Sequence, residues 1–399
     1  MTFRSVFVIG VSFLTGFVTF FAGASQVDDK KMPQIIKRTV DGYSLEFFEN
    51  SASVSQALAV NAEGSFIGFR ETPNEELTIF RQVYFYWGSN GSKDVPLPDG
   101  FTNVEAAALS DNNIVVGRTT KPLGAEDGSL RAFCWNVQKS NVELLPRPEG
   151  DLSCDAQDIT SDGTRITGYV TGPERLRPAV WIKDVKTEQW TVTVLSTVHQ
   201  MNPYLMSAQL MISPDGKFIA GCCTERFLPD GTVDSSLYAW REVNGKWEQT
   251  KLLDEQMYVK AINNKGEIVG SVLGKRGRLP CVVTAEGKLK ILELLDGDVS
   301  GEARDINNNS EIVGYSDDAH GKEGGTVPCK WTINGKVTQL QISDDDFGVA
   351  FGINDVGQIV GAGDVDLKPA PAKNEKTKND AEEDSEGAML AVRATKVKK

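Results

Sequence analysis

Residues 260–272 read KAINNKGEIVGSV, from Lys260 to Val272. The stretch predicts a two-strand hairpin. Ile262 ends one strand, Asn263-Asn264-Lys265-Gly266 makes the turn, and Ile268-Val269 leads a second strand into Gly270. Asn suits the turn because its side chain bonds to nearby backbone, and Gly supplies backbone freedom.

The same pattern recurs along the chain. Its closing glycine appears at Gly68, Gly117, Gly168, Gly221, Gly270, Gly314 and Gly361, at intervals of 49, 51, 53, 49, 44 and 47 residues. The turn is opened by Val60-Asn61, Leu109-Ser110, Ile159-Thr160, Ile212-Ser213, Ile262-Asn263, Ile306-Asn307 and Ile353-Asn354. Asn113 and Ser310 stand where the other copies have the turn glycine. Ala57, Ala106, Ala156, Ala303 and Ala350 precede the turn's apolar residue by three. Small residues there are expected where the inner strands crowd around an axis.

A third strand ends in an aromatic at Trp87, Trp135, Trp181, Trp240 and Trp331, and Val283 substitutes in the fifth copy. Recurrence at one repeat position makes these residues core between adjacent sheets rather than a ligand-stacking set. A fourth strand follows a short turn. Four short strands in each of seven copies predict an all-β, seven-bladed β-propeller. Blades are expected to start near 54, 104, 154, 205, 257, 301 and 347, within a body spanning 33–363.

The pattern A-x-x-I-N-x-x-G-x-I-V-G, followed by an A-x-x-W strand, resembles the extracellular HAF repeat over roughly residues 50–361. Arg131-Ala132-Phe133-Cys134-Trp135 is the nearest match to the triplet that names the repeat. The resemblance implies an exported repeat protein with no common activity. The naming His is Arg131 here, so no role follows for a repeated histidine.

The chain ends frame the ring. Arg4, the apolar run Val6 to Phe21 and Ala22-Gly23-Ala24 read as a signal peptide over 1–24, implying a secreted or periplasmic protein. Membrane attachment would follow only if that segment were not cleaved. Residues 33–48 resemble the third and fourth strands of copy six, so they are expected to complete the seventh blade and hide sheet edges. Residues 388–394, AMLAVRA, compete for its third strand, leaving 388–399 as a strand or a basic tail. Residues 364–387 are charged and carry too little apolar content to order themselves.

The net charge of −13, or −14 without Arg4, argues against nucleic acid as a partner. Export permits disulfides among the six cysteines, Cys134, Cys154, Cys222, Cys223, Cys281 and Cys329, but spacing gives no pairing. Cys281 and Cys329 are expected as buried thiols, and Cys222-Cys223 could bridge only as a strained vicinal disulfide. No cofactor or metal site is expected, since the chain has 2 histidines and no ligand cluster. No nucleophile elbow, phosphate loop or dinucleotide fingerprint occurs.

These features lead to the expectation of an exported, non-enzymatic, monomeric binding or scaffold propeller. The alternative is a propeller hydrolase or lyase acting on polysaccharide, which would need converging carboxylates. Function in repeat folds collects where loops vary, here between strands two and three and between blades. Lys275, Arg276 and Arg278 in the fifth blade, Arg175 and Arg177 in the third, and His320 and His199 are the candidate ligand-binding residues on that face. Arginine fits carboxylate geometry, so an anionic polysaccharide or an envelope protein is the expected partner.

Overall fold

The computed structural model describes residues 10–11, 18–19, 34–40, 42–49, 54–73, 80–122, 130–139, 142–172, 176–195, 209–227, 233–317, 325–343, 347–366 and 387–397. Residues 1–24, expected as a signal peptide, lie outside them apart from those two dipeptides, as do most of the charged segment, Arg175, His199 and His320.

Seven antiparallel sheets form a seven-bladed β-propeller, with no helix among the described residues. The first strands of the blades are Ser55–Val60, Asn103–Leu109, Ser153–Ile159, Met211–Ile212, Met257–Ile262, Ser300–Ile306 and Gly348–Ile353. They surround a central channel.

The ring is closed by both ends of the chain in one five-stranded sheet. Its order is Gly348–Ile353, Ile359–Asp366, Gly387–Lys396, Tyr43–Glu49 and Gln34–Val40. The N-terminal hairpin therefore supplies the fourth and a fifth strand, not the expected third and fourth. Composition explains the order. Ala388 to Val392 is apolar and fully buried, as a third strand must be, whereas Lys37 on Gln34–Val40 suits an exposed edge. Arg393 locks the closure by binding Glu46 and donating to the Gly64 carbonyl at 2.7 Å.

The recurring glycine sits in the middle of the second strand rather than closing it. In six blades the pairing of strands one and two shifts by one residue, a β-bulge centred on Leu58, Ala107, Gln157, Lys260, Arg304 and Phe351. The bulge drives a first-strand carbonyl toward the glycine. A Cβ at Gly270 would stand 1.9 Å from the Tyr258 oxygen, and one at Gly314 would stand 2.0 Å from the Glu302 oxygen. Only glycine fits. The recurring alanine is paired with this glycine, as in Ala156↔Gly168 and Ala303↔Gly314. Its side chain packs into the core between blades, so glycine pairing and core packing, rather than crowding at the axis, keep it small.

The turn asparagine joins neighbouring blades. Its Oδ1 accepts from its own turn, as at Asn307 from Asn309 N at 3.0 Å and Glu311 N at 2.9 Å. Its Nδ2 donates to the equivalent carbonyl of the next blade: Asn263 to Asn307 at 3.1 Å, Asn307 to Asn354 at 3.0 Å, and Asn354 to Asn61 at 2.8 Å. Ser110, Thr160 and Ser213 accept from their own turns but have no amide to reach across. There the backbone substitutes, with Asp111 N donating to Ser161 O and Ser161 N to Pro214 O, both at 3.0 Å. Asn113 and Ser310 adopt the left-handed backbone of the glycine they replace, at φ 61° and 62°.

Trp181, Trp240 and Trp331 are fully buried between adjacent sheets. All six cysteines are buried thiols.

Candidate active site

The bulge turns residues that would otherwise alternate into the sheet toward the axis. Gln157, Lys260, Arg304 and Phe351 occupy it and line a channel cavity of about 340 Å³, near the lower end for ligand sites. The cavity extends from Glu105 and Asp155 to the turn residues Asp111, Asn308 and Asp355.

One wall is basic. Glu302, 1% exposed, lies 2.8 Å from Arg304 Nε, 3.2 Å from Arg278 and 3.8 Å from Lys260 Nζ. The Ser271 hydroxyl also donates to it at 3.2 Å. Burial works against its charge, but Arg304, Lys260 and Arg278 outweigh burial and hold the carboxyl below its usual range. Three cations thus share one carboxylate. Lys260 is 8% exposed, and burial with the repulsion of Arg304 and Arg278 brings its ammonium down to about 8 against the attraction of Glu302. Arg304 stands 5.3 Å from the Phe351 ring centre, which holds its guanidinium at the wall.

The opposite wall, from blades two and three, is acidic. Arg118 lies 2.6 Å from Glu105 and 3.7 Å from Asp155, so one cation faces two carboxylates. Burial pushes the Asp155 carboxyl up, against the pull of Arg118.

Asp158 and Asp305 also line the channel but are engaged as fasteners. Asp158 accepts from Ile159 N and, across the blade boundary, Ile212 N, both at 2.8 Å. Asp305 does the same with Ile306 N and Ile353 N, again at 2.8 Å. Burial raises their carboxyls to about 7 and about 6, the first also through the charge of Asp305.

The structure divides the candidates read from the sequence. Lys275 and Arg276 are exposed on the loop between strands two and three of blade five. Arg278 does not join them as an outward cation: it turns to buried Glu302 and stacks 3.9 Å from the Tyr258 ring centre. Arg177 is bound to Asp151. Arg175, His199 and His320 lie outside the described residues. Lys260, Arg304 and Glu302 were missed, although Lys260 opens the stretch that decides the fold. A charged residue two positions before the turn's apolar residue, on an innermost strand, was the available signal.

No family model and no curated protein matches the chain. Solved propellers do. The β-propeller domain of the Trilobed protease from Pyrococcus furiosus superposes with a TM-score of 0.50 at 10% identity, over 78% of this chain and 90% of that one. Acylaminoacyl peptidase of Pyrococcus horikoshii gives 0.49 at 12% identity over 78% of this chain, which spans 49% of the peptidase. Virginiamycin B lyase of Staphylococcus aureus gives 0.47 at 10% identity, over 88% and 98% of the two chains. The first of these likenesses shows the fold alone. The expectation of a non-enzymatic binding or scaffold module is corrected at this point. The channel gathers a near-neutral lysine, arginines and carboxylates, groups suited to acid–base chemistry.

Proposed function

We propose that the chain is a propeller enzyme of the lyase type that cleaves an acidic polysaccharide by β-elimination within its channel. The observation that carries this reading is Lys260: nine-tenths buried, facing the cavity, and lowered to about 8 beside Arg304. A general base works best with a pKa near the operating pH, and lysine reaches that range through burial and neighbouring cations. Neutral Lys260 would remove the proton α to a uronate carboxylate, with Arg304 stabilising the charge that develops there. The C–H electron pair becomes the new double bond. The β C–O bond breaks with its pair on oxygen, and the Lys260 ammonium returns a proton to that oxygen.

A hydrolase is the second reading, favoured by the Asp158 and Asp305 carboxyls, both raised by burial on the channel wall. Both are already engaged by two backbone N–H groups, which suits them less to acid–base work. The apolar segment Val6 to Phe21 behind Arg4 supports export, where such polymers would be within reach.

The test is incubation of purified protein with acidic and neutral polysaccharides while following the ultraviolet absorbance of unsaturated uronate. Absorbance is expected from acidic polymers alone. No absorbance from any acidic polymer overturns the reading.

A further inference from the structure

Among the described residues six carboxylates line the channel, and four of them are engaged by backbone N–H groups. Asp158 and Asp305 fasten blades, Asp111 accepts from Ala62 N at 2.8 Å, and Asp355 accepts from Asn308 N at 2.7 Å. Glu105 and Asp155 fasten no blades: each accepts one neutral side-chain amide, from Asn103 at 3.2 Å and Gln157 at 3.3 Å, and the two share the single cation Arg118. Opposite them, Lys260 and Arg304 share one carboxylate with Arg278. The channel is therefore polarised across its width, with surplus positive charge on blades five and six and surplus negative charge on blades two and three.

Lys260 supplies a second, independent pointer to a ligand. It is nine-tenths buried, faces the cavity, and stands no closer than 3.8 Å to the carboxylate beside it, beyond hydrogen-bond reach. A buried amine so placed calls for a polar partner from within the cavity. A plain polyuronate would answer it but leave the acidic wall facing only hydroxyls. We infer that the channel takes a ligand with a carboxylate on one side and a cationic amine on the other, the chemistry of an amino-uronate unit. The inference rests on the proposed elimination and sharpens its substrate class. The carboxylate lies against Arg304, with the neutral Lys260 amine beside its α carbon, and the ammonium lies against Glu105 and Asp155.

Calorimetric titration of the full chain with glucuronate and with 2-amino-2-deoxyglucuronate tests it. The amino acid sugar is expected to bind at least about tenfold tighter, a difference typical of one added charge-assisted hydrogen bond. Glu105→Gln and Asp155→Asn, each checked for an unchanged melting profile, are expected to abolish that difference. Equal affinity of wild type for the two sugars overturns the inference and leaves the elimination reading standing. Binding of neither overturns the inference, while the ultraviolet assay on acidic polymers decides the elimination. An undiminished difference in a folded Glu105→Gln or Asp155→Asn protein also overturns it.

Discussion

Lys260 Nζ stands 3.8 Å from Glu302 Oε2, while two arginines crowd the same carboxylate. This keeps a buried lysine from the stabilisation an exclusive partner would give. Its proton is held less tightly in the folded chain, at about 8, than at the ordinary 10.5. The unfolded chain then binds more protons between those values, so this residue makes stability rise with pH across that window. Lys260→Met is expected to abolish that rise. It should also melt no lower than wild type at neutral pH, since Glu302 keeps Arg278 and Arg304. Thermal melts from neutral to alkaline pH check both points.

Asp158 and Asp305 work in the opposite sense. Their folded carboxyls are raised from 3.8 to about 7 and about 6, so the folded chain holds protons that the unfolded chain has released. Their contribution to stability falls as pH rises from about 4 to about 7. Asp158→Asn and Asp305→Asn are expected to flatten this part of the wild-type profile. Each should also cost about 1–3 kcal/mol, because an amide accepts at only one end and a buried N–H is left unmet. Chemical denaturation at several pH values measures both effects.

Gly270→Ala should be among the most damaging small substitutions. Its Cβ would meet the Tyr258 carbonyl at 1.9 Å, and backbone cannot swing aside as a side chain can. A loss at or above the upper end of the 1–3 kcal/mol typical of overpacking, so about 3 kcal/mol, is expected. Gly221→Ala should cost less, since its nearest neighbour is the Leu210 Cδ1 methyl at 2.9 Å. Equal losses on urea denaturation would remove the bulge as the reason for the repeated glycine.

Asn354→Ala should cost about 1–3 kcal/mol, since it strips both the bond to Asn61 O and the acceptor for Gln358 N. Asn354→Ser should cost less, because Ser213 already serves its own turn through a hydroxyl. Comparing the two denaturation midpoints decides it.

The propeller was legible because its determinants are local and repeat. The Asn turn, the mid-strand glycine and the buried Trp each follow from contacts made the same way in blade after blade. Closure was half legible. Residues 33–48 and 388–394 both read as strands, but their order depends on which is apolar enough to lie inside, a choice made by Leu390 and Val392 against Lys37 and Arg38. The channel was not read. Alternation assigns Lys260 and Arg304 to one face or the other of a flat strand, and only the bulge opposite Gly270 and Gly314 aims them at the axis. Arg278 sits in the variable loop with Lys275 and Arg276, and its partner Glu302, 24 residues away in sequence, is brought to it only by the fold.

Mass spectrometry of the products from an acidic polysaccharide, with wild type and Lys260→Met side by side, tests the central claim most directly. Elimination leaves an unsaturated end one water lighter than the hydrolytic end. The account predicts that lighter end from wild type and at least a hundredfold less of it from a folded Lys260→Met protein, in keeping with the loss of a general base. Hydrolytic ends from wild type, or unsaturated ends in equal yield from Lys260→Met, would contradict it.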